Sequence, residues 1–186
     1  MSTHKLRSKS NETMSDFPAL TGFYRILFLY LEPLSTIIPS LMIYGFPGAH
    51  WFHHELIPDG TAPPPPGFLD QRSVMAVWQL ANCYFLLGML EGLGLRAARD
   101  ALPGNPVAQE RIVGATLFAM AVADVTHILA TWVALPDKLK YMPEAWNATT
   151  HGNITVVIFL FLARVAWFKG IGCKRFYYGQ SKSKKN

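Results

Sequence analysis

The sequence predicts an all-α polytopic membrane protein, a four-transmembrane-helix bundle. Three observations carry that class. Charged residues make up 16% of the 186-residue chain and hydrophobic residues 51%, whereas soluble domains carry about 25% charged. The shortage falls in four apolar blocks, each long enough to cross a hydrocarbon core of about 30 Å at about 1.5 Å per residue. Lysine and arginine then gather at alternating ends of those blocks, the bias that sets orientation in a bilayer. The length suits one domain. We divide it into a polar tail (1–18), a four-helix transmembrane domain (19–169) and a basic tail (170–186).

The first tail carries Lys5, Arg7 and Lys9 and too little apolar content for a core. No cleavable signal peptide is expected, because the chain opens polar and the first apolar run is too long. The first span runs from about Thr21 to Phe46 and contains Glu32-Pro33 and Pro39. Each proline frees a carbonyl one turn earlier and tends to kink the helix. His50 to Arg72 reads as a loop, with Pro63–Pro66 as a short polyproline segment and Trp51, Phe52 and Phe68 at interfacial positions.

The second span runs from about Ser73 to Leu95, with Asn82 near its centre and Glu91 near its end. Gly88, Gly92 and Gly94 are small enough to admit a close neighbour. After a short turn the third span runs from about Arg111 to Leu135 and holds Asp124 and His127, one helical turn apart. A polar loop from Pro136 to Gly152 leads to the fourth span, about Asn153 to Phe168, which contains Arg164. Cys83 and Cys173 have no metal-type spacing, and a disulfide between them is not expected.

The N-terminal tail, the Arg96–Arg111 turn and the C-terminal tail carry nearly all the flanking basic residues, which places all three in the cytosol. The Pro63 and Trp146 loops then face the lumen. Asn147-Ala-Thr149 and Asn153-Ile-Thr155 are luminal glycosylation tripeptides, with Asn147 the usable one and Asn153 too close to the membrane. Asn11-Glu-Thr13 falls in the cytosolic tail. Lys182 and Lys184 stand fifth and third from the end and resemble a dilysine retrieval signal for the endoplasmic reticulum. The net charge of +5 comes from the two ends. With no basic face or recognition motif beside it, it fits lipid headgroups and not nucleic acid.

Ionisable residues at membrane depth are expensive, about 2.5–3.5 kcal/mol each on insertion scales. Counting residues from the cytosolic ends puts Glu32, Asn82, Asp124 and His127 in the middle layers, with Glu91 and Arg164 nearer the rim. One interior cluster built from all four spans is the economical reading. The plainer alternatives are a helix-local Asp124–His127 hydrogen bond, Glu32 capping backbone groups freed by Pro33 or pairing with Arg25, Glu91 paired with Arg96 or Arg164, Arg164 snorkelling to the interface, and Asn82 as interhelical glue. Asp124, Glu32, Glu91 and His127 are the candidate catalytic residues. Asn82, Arg164, Trp78 and Trp132 are the candidate substrate-binding residues.

A carboxyl group shielded from water can hold its proton and give it up to a substrate. A lipid-bathed cavity favours an isoprenoid or a sterol, and aromatic faces stabilise the cation formed by protonating an alkene or epoxide. Double-bond isomerisation needs the same groups. No nucleophile motif, P-loop, dinucleotide fingerprint or zinc signature is present, so neither cofactor nor metal is expected.

Tyr30-Leu-Glu32-Pro33, Gln79-Leu-Ala-Asn82-Cys-Tyr84 and Ala123-Asp124-Val-Thr-His127 resemble a family of small fungal integral membrane proteins with four helices. The resemblance spans about Phe17 to Phe168. Some members are similar to the membrane-bound terpene cyclases of meroterpenoid clusters, which protonate a farnesyl-type chain with intramembrane acids. It implies such a role for Glu32, Glu91 and Asp124, although the chain lacks a DxDD-type acid motif and aspartate-rich metal motifs. A non-catalytic scaffold or small transporter subunit is the alternative from another class.

Overall fold

The computed structural model describes residues 17–178. Four helices in it are long and apolar enough to cross a membrane: α1 (Gly22–Tyr44), α3 (Gln71–Ala101), α4 (Pro106–Ala134) and α6 (Ala148–Phe168). Two short helices, α2 (Ala49–Glu55) and α5 (Asp137–Lys140), lie between them. The all-α, four-span class expected from the sequence is therefore what the chain adopts. Most of the N-terminal tail, the Asn11 tripeptide and the Lys182/Lys184 pair lie outside the described residues.

Side-chain caps set several boundaries that hydropathy misplaces. Asp70 Oδ1 accepts the backbone N–H groups of Arg72 at 2.9 Å and Ser73 at 3.2 Å, which starts α3 at Gln71. The Ser73 hydroxyl and N–H bonds also hold the Asp70 carboxyl below the usual carboxylate range. Asn147 Oδ1 accepts from Thr150 N at 2.8 Å, so α6 begins at Ala148, a turn earlier than its apolar stretch suggests. At the other end, α3 continues past Leu95 through Arg96 and Arg99. Gln109 Nε2 satisfies the Leu102 carbonyl just beyond it, at 3.1 Å.

α1 packs most closely on α3, and α4 on α6. Gly88 makes the first contact possible. A Cβ there would lie 2.8 Å from the Pro33 carbonyl oxygen and 2.8 Å from Ile37 Cγ1, so any side chain would push the two spans apart. At Gly92 a Cβ would sit in ordinary contact with Pro33, 3.5 Å from its Cβ, and 3.0 Å from Arg96 Nη1, whereas Gly94, expected to join them, faces open space. Along α1 the chain widens over Leu27–Leu31, where the Glu32 N–H bonds to the Leu27 carbonyl five residues back. Pro33 follows at once and has no N–H to continue an ordinary turn.

At the arginine-bearing end, here the basic end, Phe17, Leu20, Phe28, Leu95, Leu117 and Trp167 form one buried cluster. At the opposite, loop end, Ile43, Phe52, Val77 and Ala81 form another. Phe52 belongs to α2, so the segment read as loop from His50 opens with a helix whose aromatic face is buried. The outward faces are apolar as well: Leu90, Phe118, Leu129, Val133 and Leu162 are each more than half exposed. Apolar belts of that extent exceed what soluble surfaces carry and match acyl chains.

The start of the basic tail, residues 170–178, folds onto the bundle. Glu110, fully buried near the start of α4, accepts the backbone N–H groups of Phe176, at 2.6 Å, and of Tyr177. Arg175 Nε lies 3.0 Å from Glu110 Oε1, and its guanidinium sits 4.1 Å from the centre of the Trp167 ring. Tyr178 covers Gly114, and the Tyr24 hydroxyl donates to the Ile171 carbonyl at 2.7 Å. Two backbone N–H donors on Oε2 and the Arg175 charge beside Oε1 explain why an acidic residue is buried here. Glu110→Ala leaves those donors without an acceptor, at about 1–3 kcal/mol per group. Trypsin cleavage after Lys174 or Arg175 is expected to rise at least about tenfold in detergent, with helical content kept, since cleavage follows the open population. Equal rates in both proteins would show that the strap does not depend on Glu110.

Candidate functional site

The interior polar group centres on Arg164. Leu160, Ala163, Arg164 and Trp167 form the inward face of α6 at helical spacing. The Arg164 side chain is fully buried, and its guanidinium lies 5.5 Å from the Phe28 ring centre. One terminal nitrogen, Nη1, donates to Asp124 Oδ2 at 2.6 Å, and the other, Nη2, to Glu32 Oε1. Three spans are thereby joined by one fork-shaped cation, a geometry that lysine does not offer. The snorkelling alternative for Arg164 is overturned: its head group points inward.

Glu91 completes the cluster in a way the sequence did not suggest. It has no ion pair with Arg96, whose Nη1 donates instead to the Gly92 carbonyl at 2.8 Å. Its carboxyl group stands beside that of Glu32. Glu32 Oε2 and Glu91 Oε1 are both buried and meet no N–H or O–H donor among the described residues. The single charge of Arg164 thus faces three buried carboxyl groups and is bonded to two of them.

A cavity of about 450 Å³ abuts this cluster, within the range of small-molecule sites. All four spans and α2 line it. Its deep end is formed by Glu32, Asp124 and Leu160, all buried, and it extends to Trp51 and Phe52 on α2 and Ala148 and Thr149 at the start of α6. Pro39, Met42, Tyr84, Leu87 and Met120 make much of the wall apolar and aromatic. His127 also lines the cavity, but its partner is Asn153 and not Asp124: Nε2 lies 3.3 Å from Asn153 Oδ1. The widened turn over Gly152–Val156 accompanies Asn153 at this wall.

The structure therefore brings together Glu32, Glu91, Asp124, Arg164 and, through the cavity, His127. Glu32, Asp124 and His127 line the space, while Glu91 and Arg164 stand behind the wall. Asn82 and Trp78 are exposed on the outer side of α3, and Trp132 packs edge-on to Tyr141 at 5.8 Å; none of the three lines the cavity. Trp51 and Phe52, expected at the membrane interface, and Tyr84 supply the aromatic surface in place of Trp78 and Trp132. The signal for Trp51 and Phe52 was their place in Ala49–Glu55, seven residues able to form a short helix. Asn147, the expected glycan acceptor, is half-buried; its Nδ2 donates to the Glu55 carbonyl at 2.9 Å and to Glu55 Oε2 at 3.0 Å. In the folded chain that amide ties α2 to the start of α6. No group of three or more metal-ligating side chains occurs among the described residues.

These features define a small four-helix membrane protein with a buried ionic cluster at the head of an internal cavity. The chain belongs to the DUF7704 family, described as a domain of unknown function, whose profile matches residues 17–174. No curated protein and no solved structure matches it significantly.

Proposed function

We propose that this protein is an integral membrane terpene cyclase that starts cyclisation of a prenylated, lipid-like substrate by protonating a terminal alkene or epoxide, without metal or cofactor. The observation that supports it most is Glu32, a buried carboxyl that stands beside Glu91 and faces an apolar, aromatic-walled cavity. Glu32 gives its proton to the alkene carbon or the epoxide oxygen, and the carbon–carbon bond of the ring forms as the cation is captured by a neighbouring double bond. Asp124, matched by Arg164, is the counter-charge for that cation. With Nε2 engaged by Asn153 Oδ1, His127 keeps Nδ1 as the acceptor for the proton lost at the end. Asp124 and Glu32 both accept from Arg164; we assign the acid to Glu32 because a second carboxyl group, that of Glu91, stands beside it.

Between the polar groups at the cavity head and the Glu110–Arg175 pair near the basic end, Phe28, Leu95, Leu117 and Trp167 pack as an apolar layer. That closure favours chemistry over a transport path. The test is conversion by microsomes holding the full chain, supplied with a farnesylated aromatic compound or its terminal epoxide in the presence of EDTA. A cyclised product is expected. A double-bond isomer as the sole product would replace the cyclase by an isomerase, and recovery of unchanged substrate beside correctly inserted protein would overturn the enzymatic reading.

We further infer residence in the endoplasmic reticulum with both termini cytosolic, from the lysine and arginine asymmetry and from Lys182 and Lys184. Terminal tags are expected to be digested in sealed microsomes, and Lys182→Ser with Lys184→Ser to release the protein to later compartments. A protected tag or an unchanged distribution would each remove the corresponding inference.

A further inference from the structure

We propose that the groove between α1 and α3 is a binding site for an anionic phospholipid, its acyl chain in the groove and its phosphate on Arg96. This groove of about 260 Å³ is separate from the catalytic cavity and shares no lining residue with it. Gly88 and Gly92 keep its floor low, and Leu34, Met89 and Leu93 provide its sides. Leu34 and Leu93 are about half exposed, at 49% and 57%, so the groove is reached from the acyl-chain layer.

Arg96 closes the end of the groove nearer the basic end of α3. Its guanidinium lies 5.2 Å from the Tyr30 ring centre, which holds it over the groove. Only Nη1 is committed, to the Gly92 carbonyl, and Arg96 has no carboxylate partner among the described residues. The neighbouring Arg99 differs. It is matched by Asp100 through bonds of 2.6 and 2.9 Å, so its charge is answered within the protein. Arg96 lies about 7.5 Å along the helix from Ala101 at about 1.5 Å per residue, near headgroup depth. An unmatched cation above an acyl-chain groove selects a negatively charged head and a hydrocarbon tail in one molecule.

The test uses the full chain purified in an uncharged detergent and titrated with phosphatidylserine or phosphatidylcholine of equal chain length, read by native mass spectrometry. The wild type is expected to prefer phosphatidylserine about fivefold. Arg96→Gln is expected to abolish the preference while phosphatidylcholine occupancy persists. Leu34→Trp, which fills the groove, is expected to lower occupancy by both lipids. Arg111→Gln, which removes a basic residue near the same end but outside the groove, is expected to leave the preference intact. Equal binding of both lipids by the wild type, a retained preference in Arg96→Gln, unchanged occupancy in Leu34→Trp, or an equal loss in Arg111→Gln would overturn the site.

Discussion

Arg164→Met is expected to cost the folded bundle about 3–5 kcal/mol, the penalty for breaking a buried ion pair by removing one partner. The size follows from what stays behind. Asp124 and Glu32 each lose the donor to which they are bonded, and both side chains are less than a tenth exposed. Methionine fills much of the space but offers no N–H. Adding Glu32→Gln and Asp124→Asn removes the stranded charges, and much of the loss is expected to return, because a buried ionic group is not inherently more stable than a neutral replacement. Arg164→Lys is expected to fall between, since one ammonium head cannot reproduce the two-pronged contact with Glu32 and Asp124. Thermal unfolding of the four proteins in one detergent, with monodisperse yield beside it, measures the series. An Arg164→Met protein that melts with the wild type would mean that the carboxyl groups do not depend on this cation.

The spans were legible because hydropathy over a long window needs no knowledge of neighbours. Glu32 and Asp124 were legible as interior residues for a related reason: their cost at that depth demands partners. Arg164 and Glu91 were misjudged by counting positions along the backbone. Helical side chains lean toward their own N-terminus. On α6 and α3 that lean carries Arg164 and Glu91 away from the basic end and deeper into the bundle. On α1 and α4 it carries Glu32 and Asp124 the opposite way, so all four converge on one layer. Glu91 and Arg96, five residues apart on α3, point about 140° apart around the helix and do not meet. His127 with Asn153 was less accessible still, because Asn153 lies in a widened turn that breaks the ordinary helical register. Asn82 shows the limit of the argument from cost: it is polar and deep, yet it lies on the outer face.

Glu32→Gln is expected to lower turnover of the prenylated substrate by about 10²–10⁴, the usual contribution of a positioned general acid, while leaving the protein assembled. Glutamine keeps an oxygen for Arg164 and an amide N–H for the Glu91 carboxyl, so the hydrogen-bonding frame survives and only the transferable proton is lost. Glu91 lies behind the cavity wall and touches no substrate; it is a positioning residue that acts through Glu32. Glu91→Gln is therefore expected to lower kcat and leave KM close to the wild-type value, because the binding surface is unchanged and only the resupply of the Glu32 proton is impaired. Asp124→Asn removes the counter-charge instead of the acid. Its product is expected to shift toward partly cyclised or prematurely deprotonated material, since the cation loses its stabilising partner before the last ring closes. A purely structural cluster predicts another pattern, in which activity falls only as far as folded protein falls. Turnover per folded molecule separates the two. Wild-type turnover by Glu32→Gln would take the proton out of its hands, and with it the chemical role of the cavity's deep end.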